Sequence, residues 1–512
     1  MFVYMRKFLL WAVCFALLLS SCGTDEITPT DAVDTTSSGS DPSFSDDDFD
    51  RTVTVVFNDA SDASVSGVGD YQTVTIVGNN VTIVNDSSST EKVLYELGGT
   101  ASNGFFKLYS NKKQAIVLNN VSISNPAGAA INVQSHKSVY VVLKGSNSLA
   151  DGSSYSATPA DEDEKAAFFS EGQLLFSGSG SLTVTAKGKS GIVSDDYVKF
   201  SGGFVSVICS SSCSVSNGDT LKPACIKGKD EFIMDDGSLT LKATGTGAKG
   251  ISGDGTATFN GGSVSVTVTG SNFGSSGGGW GGNNNKKSVA AKGIKFDGNI
   301  SINGGTLVVS ASKHEGIETK GTLTVTGGEV YSTSSDDAIN SASDMTIDNG
   351  YICAISSGND GLDANGNLYI NGGVVFAVCT GSNNAEVAVD ANTEAGYKLY
   401  LNGGILFTCG NLERGSSLSQ SCWSSSSWTK NVWYSLNDGN STYAFKTPSS
   451  GGSKLVVSAA SKPTVMANVT LNDGVTRCNN MIATDCTVSG GNSVNLSSYS
   501  NNSGGSGGGP GH

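Results

Sequence analysis

Histidine is scarce in this sequence: His136, His314 and His512 are the only three among 512 residues. No His-plus-nucleophile set is convincing, and neither a zinc-ligand spacing nor a phosphate-binding loop is present. Positive charge is also short. Thirty-one Lys and Arg stand against 46 Asp and Glu, a formal net charge of −15. Nucleic-acid binders need a basic surface, so that class is excluded. The apolar run at residues 8–19 is too short for a comfortable membrane span. The Leu-x-x-Leu-x-Leu and Asn signature of leucine-rich repeats is missing, although the repeat length described next would suit it.

What is present is a period. Ile294, Ile317, Ile339 and Leu362 follow one another at 23, 22 and 23 residues, and Gly305, Gly328, Gly350 and Gly373 repeat the same spacings. A fifth copy runs from Val389-Asp390 to Asn402-Gly403-Gly404 with a small insertion. Within each copy apolar residues alternate with polar ones between Gly and Asn clusters, as in residues 322–326. Period-2 alternation means half-buried strands, not helices. Strands repeating every 22–23 residues predict an all-β, right-handed parallel β-helix, each strand pairing with its equivalent about 4.8 Å away. The start is β-rich but loosely periodic. Strands are expected at residues 53–57, 74–77, 81–84, 115–118 and 139–143. Residues 151–165 and 270–287 read as insertions.

The odd positions after each Gly-Gly pair face outward and include Tyr351, Cys353, Ile355, Val374, Phe376, Val378, Ile405, Phe407 and Cys409. So much contiguous apolar surface is not left in water. The C-terminal segment, with Trp423, Trp428 and Trp433, is therefore expected to fold back as a β cover on the late rungs.

The domain reading follows. Residues 1–21 are a targeting segment: Arg6 and Lys7, then an apolar run. It ends Leu19-Ser20-Ser21-Cys22, which resembles a bacterial lipobox and makes Cys22 the lipidation site of a membrane anchor. An ordinary secretory signal is the alternative. Asp25-Glu26 resembles the acidic run that accompanies export to the outer-membrane surface in gut-type Gram-negative lineages. Residues 22–50 read as a disordered tether. Residues 51–410 are the solenoid, 411–497 a C-terminal β extension and 498–512 a Gly-rich tail. Nine Cys remain after Cys14 and Cys22, an odd number whose pairing the sequence does not assign.

Equivalent positions in successive rungs stack into columns. One residue after each anchor come Glu318, Asn340, Asp363 and Asp390; two before come Glu315, Asp337 and Asp360, with Asp336 and Glu386 beside them. Carboxylates one strand spacing apart repel, and a divalent cation relieves them; Ca²⁺ takes six to eight oxygens in flexible geometry. The candidate metal ligands are thus Glu315, Glu318, Asp336, Asp337, Asp360, Asp363 and Asp390, and a solvated acidic row is the alternative. His314 is either a ligand or a corner residue. Lys249, Lys292 and Lys295 lie at the other end of these columns. Lys295 beside Glu318 could serve as a lyase base or form an exposed salt bridge.

The segment SSDDAINSASDMTIDNGYICAISSGNDGLDANGNLYINGGVVFAV resembles the secreted bacterial carbohydrate-binding parallel β-helix family of cellulose- and polygalacturonate-binding type. NGFFKLYSNKKQAIVLNNVSISNPAGAAINVQSHKSVYVVLKGSNSL and GIVSDDYVKFSGG resemble its earlier parts. The resemblance spans residues 51–497. It implies an architecture similar to pectate lyases, with calcium-assisted binding of plant polysaccharide rather than cleavage. The chain departs from the family in its many Cys and in Lys165-Ala166-Ala167-Phe168, where Asp-Ala-Ala-Ile is expected. The acidic charge fits a neutral glycan, or cations bridging to an anionic one. Trp280, Lys292 and Lys295 are the candidate carbohydrate contacts. The reading is a lipid-anchored, extracytoplasmic, monomeric binding protein. A structural or adhesive surface protein and a polysaccharide lyase are the alternatives.

Overall fold

The computed structural model describes residues 44–159, 162–216, 219–274, 288–381 and 386–500. In a strand successive side chains point to opposite faces. Thr306–Ala311 shows this, with Leu307, Val309 and Ala311 buried and the residues between them partly exposed. It pairs in parallel with Glu329–Ser334, and the ladder continues through Tyr351–Ser356, Val374–Cys379 and Ile405–Cys409. Ile300–Ile302, Leu323–Val325, Met345–Ile347, Leu368–Ile370 and Leu399–Leu401 make a second ladder. The anchor strands Ile294–Phe296, Ile317–Thr319, Ile339–Ser341 and Leu362–Ala364 make a third. Val330, Ile352, Ala354, Val375, Ala377 and Leu406 are wholly buried, as their parity requires. Further back the core holds a run of rings, with Phe176 and Phe200 stacked at 4.7 Å.

The recurrent second glycine has a double reason. Gly305, Gly328, Gly350, Gly373 and Gly404 all have φ between +74° and +98°. A Cβ at Gly305 would also lie 2.5 Å from the carbonyl oxygen of Gly261 one strand back. Only glycine meets both conditions without strain.

The expectation of a right-handed parallel β-helix is corrected here. The described strands gather into sheets of 26, 12, 2 and 6 strands. Two of the expected faces merge in the 26-stranded sheet. Tyr197–Cys209 and Glu231–Ala243 each run 13 residues straight through a position where a corner was expected. That sheet is mixed: Arg51–Phe57 pairs antiparallel with Ser64–Ser66, and Ile405–Cys409 pairs antiparallel with Ser453–Ser458. Strands from Trp433–Asn437 to Val488–Ser493 form a six-stranded antiparallel sheet. The molecule is all-β with large sheets. Its helical segments among the described residues are two single turns, Asp46–Asp48 and Thr393–Ala395. A period sets which strands pair. It fixes neither the hand of the path nor where a strand must break.

The apolar outer face is covered. Cys353, Phe376, Val378, Phe407 and Cys409 form one cluster with Trp428, Tyr434, Phe445, Leu455 and Val457. Phe407 and Phe445 stack at 4.6 Å, and Trp428 donates through Nε1 to the Ser453 carbonyl at 3.1 Å. Trp423 packs at the margin, whereas Trp433 lies in a separate cluster with Ala444 and Ala483. Arg477 pins the cover, pairing with Glu329 at 2.7 Å over the Tyr351 ring. The last residues of the expected tether are ordered: Phe44 and Phe49 pack against Tyr140, beside Leu94, Val117 and Leu175. The nine cysteines from Cys209 to Cys486 are unpaired thiols, all but Cys379 buried.

Truncating a ring inside this cover should be far more damaging than truncating an exposed one. Phe407→Ala is expected to destabilise by about 3–5 kcal/mol in urea unfolding. Phe204→Ala, at a ring 61% exposed, should stay within about 0.5 kcal/mol.

Candidate functional site

The 12-stranded sheet is parallel from Asn79–Asn85 onward, so in-register positions share one face. Its pairings carry a single outward column through Lys107, Asn132, Phe169, Val193, Lys227, Ser252, Lys295, Glu318, Asn340 and Asp363. Val389 bridges both Leu362 and Leu412, which extends the column to Asp390 and Glu413. At about 4.8 Å per strand, Lys107 to Asp363 spans roughly 43 Å. A second file of side chains, two residues before the anchors, runs Lys249, Lys292, Glu315, Asp337 and Asp360.

Charge changes sign along these files. Lys222, Lys227, Lys249, Lys292, Lys295 and Lys320 surround a cavity of about 320 Å³. Burial, then the neighbouring lysines, pull Lys249 down to about 8. Lys227 and Lys320 were missed in the sequence, although Lys227 directly follows the anchor Ile226 and the column rule finds it.

At the boundary the charges neutralise. Lys292 pairs with Glu315 at 3.0 Å and also with Glu318. Glu318, 1% exposed, takes Lys320 as a further partner. Lys295 is the register neighbour of Glu318, but its ion pair is with Asp297. The expected Lys295–Glu318 pair is thereby corrected. Lys292 reaches Glu318 instead, from the position two residues before the anchor Ile294. His314 contacts Glu315 and lies 3.1 Å from Asp336. Burial opposes ionisation of Glu315, yet His314 and Lys292 bring its carboxyl down to about 2.

Beyond the boundary the row is acidic. Among the described residues no ion pair with Lys, Arg or His reaches Asp337, Asp360 or Asp390. Asn340 donates through Nδ2 to Asp337 at 3.2 Å and to Asp363. The Asp360 amide donates to Asp337 at 3.0 Å, and the Val387 amide donates to Asp360 at 2.5 Å. Burial, with Asp363 and Glu386 nearby, pushes Asp360 up to about 8. Asp337 is raised by burial and the Asp363 charge, and Asp390 by burial and its hydrogen bond with Glu413.

The seven predicted ligands therefore divide. Asp360, Asp363 and Asp390 each offer a carboxylate oxygen, all within 4.8 Å of one another. Glu315 and Asp336 make a second group with His314. Glu318 and Asp337 belong to neither. The first group is all oxygen, a donor set that suits a hard divalent cation. The second mixes nitrogen with oxygen and is already balanced by Lys292. Trp280 and Cys22 lie outside the described residues.

A family model described as "Carbohydrate-binding domain-containing protein" matches residues 77–277, 246–338 and 281–406, together well over half of the chain and including the whole column from Lys107 to Asp390. Among the solved structures, a polysaccharide lyase-like protein from C. thermocellum, in a gadolinium derivative, is similar at 18% identity. That likeness covers 54% of this chain and 92% of the other, with a TM-score of 0.34. No curated protein matches.

The raised carboxyls give the metal-free protein a pH dependence. Each holds its proton more tightly folded than unfolded. The folded form therefore carries extra protons between about pH 4, where unfolded Asp titrates, and about pH 8 for Asp360. Stability must fall as pH rises through that window. Thermal unfolding in chelator should give a lower Tm at pH 8 than at pH 5. Asp360→Asn should flatten the difference.

Proposed function

The chain belongs to the family of carbohydrate-binding domain-containing proteins, and from that premise we propose that it holds a plant-type polysaccharide along the outer face of its 12-stranded sheet, with calcium at the acidic end. Carbohydrate binding is what the family provides; the face, the glycan type and the cation are the finer reading. One observation carries it: Asp360, Asp363 and Asp390 converge to within 4.8 Å at one end of an unbroken outward column. These three would hold the ion. Bound there, calcium supplies positive charge and further oxygen-ligand positions that sugar hydroxyls or carboxylates can fill. The column lies across the strands, so an extended polymer running along it would meet the side chains of successive strands in turn.

Non-catalytic binding is the better-supported use of the site. The lyase alternative rested on Lys295 poised at Glu318, and both are engaged elsewhere. Lipidation at Cys22 would set the protein on the outer-membrane surface, where insoluble glycan is met.

Titrating calcium into metal-stripped protein should release a binding heat. Asp360→Ala combined with Asp390→Ala should weaken that binding at least about a hundredfold, since two of three charged ligands go. A flat titration of the unmutated protein removes calcium from the reading. In pull-downs on cellulose and pectate gels, capture that chelator reduces supports a cation-assisted contact, and no capture on either gel rejects the plant-glycan reading. Separately, Cys22→Ser should move the protein from the detergent phase to the aqueous phase in a phase-separation assay. Unchanged partitioning rejects the lipid anchor.

A further inference from the structure

A second cavity lies at the other end of the same face. It has a volume of about 210 Å³ and sits between strands Gly104–Tyr109 and Ile131–Gln134 and residues 156–159 of the polar insertion. Its floor includes Phe105, Lys107 and Asn132, and its wall includes Asn125 and Glu164. Asn132 is 1% exposed, and its Oδ1 accepts from Gln134 Nε2 at 2.7 Å. Its Nδ2 is buried and has no hydrogen-bond partner among the described residues. A buried amide left unpaired is unfavourable, and an interior apolar residue would avoid that. The neighbouring column position shows the apolar solution, Phe169.

The surrounding groups are fixed in place. Lys107 pairs with Glu162 at 2.7 Å. Asn125 donates to the Ala129 carbonyl at 2.6 Å, and Glu164 Oε1 accepts from the Ala129 amide at 2.8 Å. A ligand must therefore offer an acceptor to Asn132 while presenting donors to the Glu164 carboxylate. Neighbouring hydroxyls do both, since each can donate and accept. The half-buried Phe105 ring adds an apolar wall suited to the C–H face of a pyranose. At about 30 Å³ per liquid water, the cavity equals roughly seven waters, the scale of one sugar ring rather than a chain.

We propose that this cavity is a saccharide subsite that takes a single neutral, hydroxyl-bearing sugar unit through Asn132 and Glu164, without calcium. It rests on the reading of this chain as a glycan binder. It is separate from the acidic row, from which Asn132 is eight strand steps away in the column, roughly 38 Å.

Saturation-transfer NMR on the full chain in chelator, with methyl β-glucoside, methyl β-galactoside and methyl β-xyloside, tests it. At least one glycoside should receive saturation at millimolar concentration. Asn132→Leu, nearly isosteric, should weaken that binding at least about tenfold, the loss of one good hydrogen bond. Ala157→Trp, which fills the cavity from its exposed roof, should abolish the signal with thermal unfolding unchanged. Asp360→Ala with Asp390→Ala should leave it intact, so failure of the calcium reading and failure of this subsite are told apart. If no glycoside is saturated, the cavity holds only water and the subsite is refuted. Equal signals from the unmutated protein and both cavity variants also refute it.

Discussion

In-register parallel pairing of strands some 23 residues apart is the constraint from which this site arises. It sets equivalent side chains about 4.8 Å apart, whatever their charge. Two like charges at that distance repel by about 3.5 kcal/mol at an effective dielectric of 20. A row of acids one strand apart is therefore unstable unless something is placed between them. This chain uses different devices along one row. Lys292 and Lys320 balance Glu315 and Glu318. Asn340 stands between Glu318 and Asp363, where another acid would join them into one run. At Asp337, Asp360 and Asp390 burial favours the proton. The first two devices are permanent. A proton is exchangeable, which is why the proposed cation is assigned to that end of the row.

The rest of the fold decides which face remains for ligand. The late strands of the 26-stranded sheet carry Phe376 and Phe407 outward, and the C-terminal sheet covers them. The early strands carry Tyr140 and Leu175 outward, and Phe44 and Phe49 lie against that cluster. The outer face of the 12-stranded sheet is polar through most of its length, with Phe169 and Val193 as its apolar interval. Apolar burial thus closes two surfaces, and the charged one is the face on which recognition is proposed.

Much of this was legible from spacing. The anchor period named the in-register pairs, and so the columns. The alternation after each Gly-Gly named the inward residues and forced a cover over the outward ones. The all-β class was legible, but the architecture was not. Nothing in the period says that Tyr197–Cys209 continues through Gly203 instead of breaking there, or that the chain ends in an antiparallel sheet. Side-chain partners were not legible either, because they depend on reach. Lys295 neighbours Glu318 by register, yet Lys292 meets it. The Asn132 cavity was hidden for a different reason. Its roof is residues 156–159 of the aperiodic insertion, whose polar composition carries no register signal.

Asn340 shows why a change of one atom type matters in such a row. An Asp there would join Glu318 to Asp363, Asp390 and Glu413 in one run of five carboxylates along the column, and spread negative charge toward the lysines. As an amide it donates to both Asp337 and Asp363. It occupies oxygens on the lysine side of the row and adds no charge of its own. Asp360, Asp363 and Asp390 are left as the compact oxygen group at the far end. The lysines and then the amide bound the three-acid group on the same side, so a cation drawn to this edge would find three acids converging just beyond them. A carboxylate-bearing sugar drawn to the lysine cavity would meet the opposite sign a few strands away. The face therefore has polarity along its length, and a polymer lying on it is offered different chemistry at its two ends.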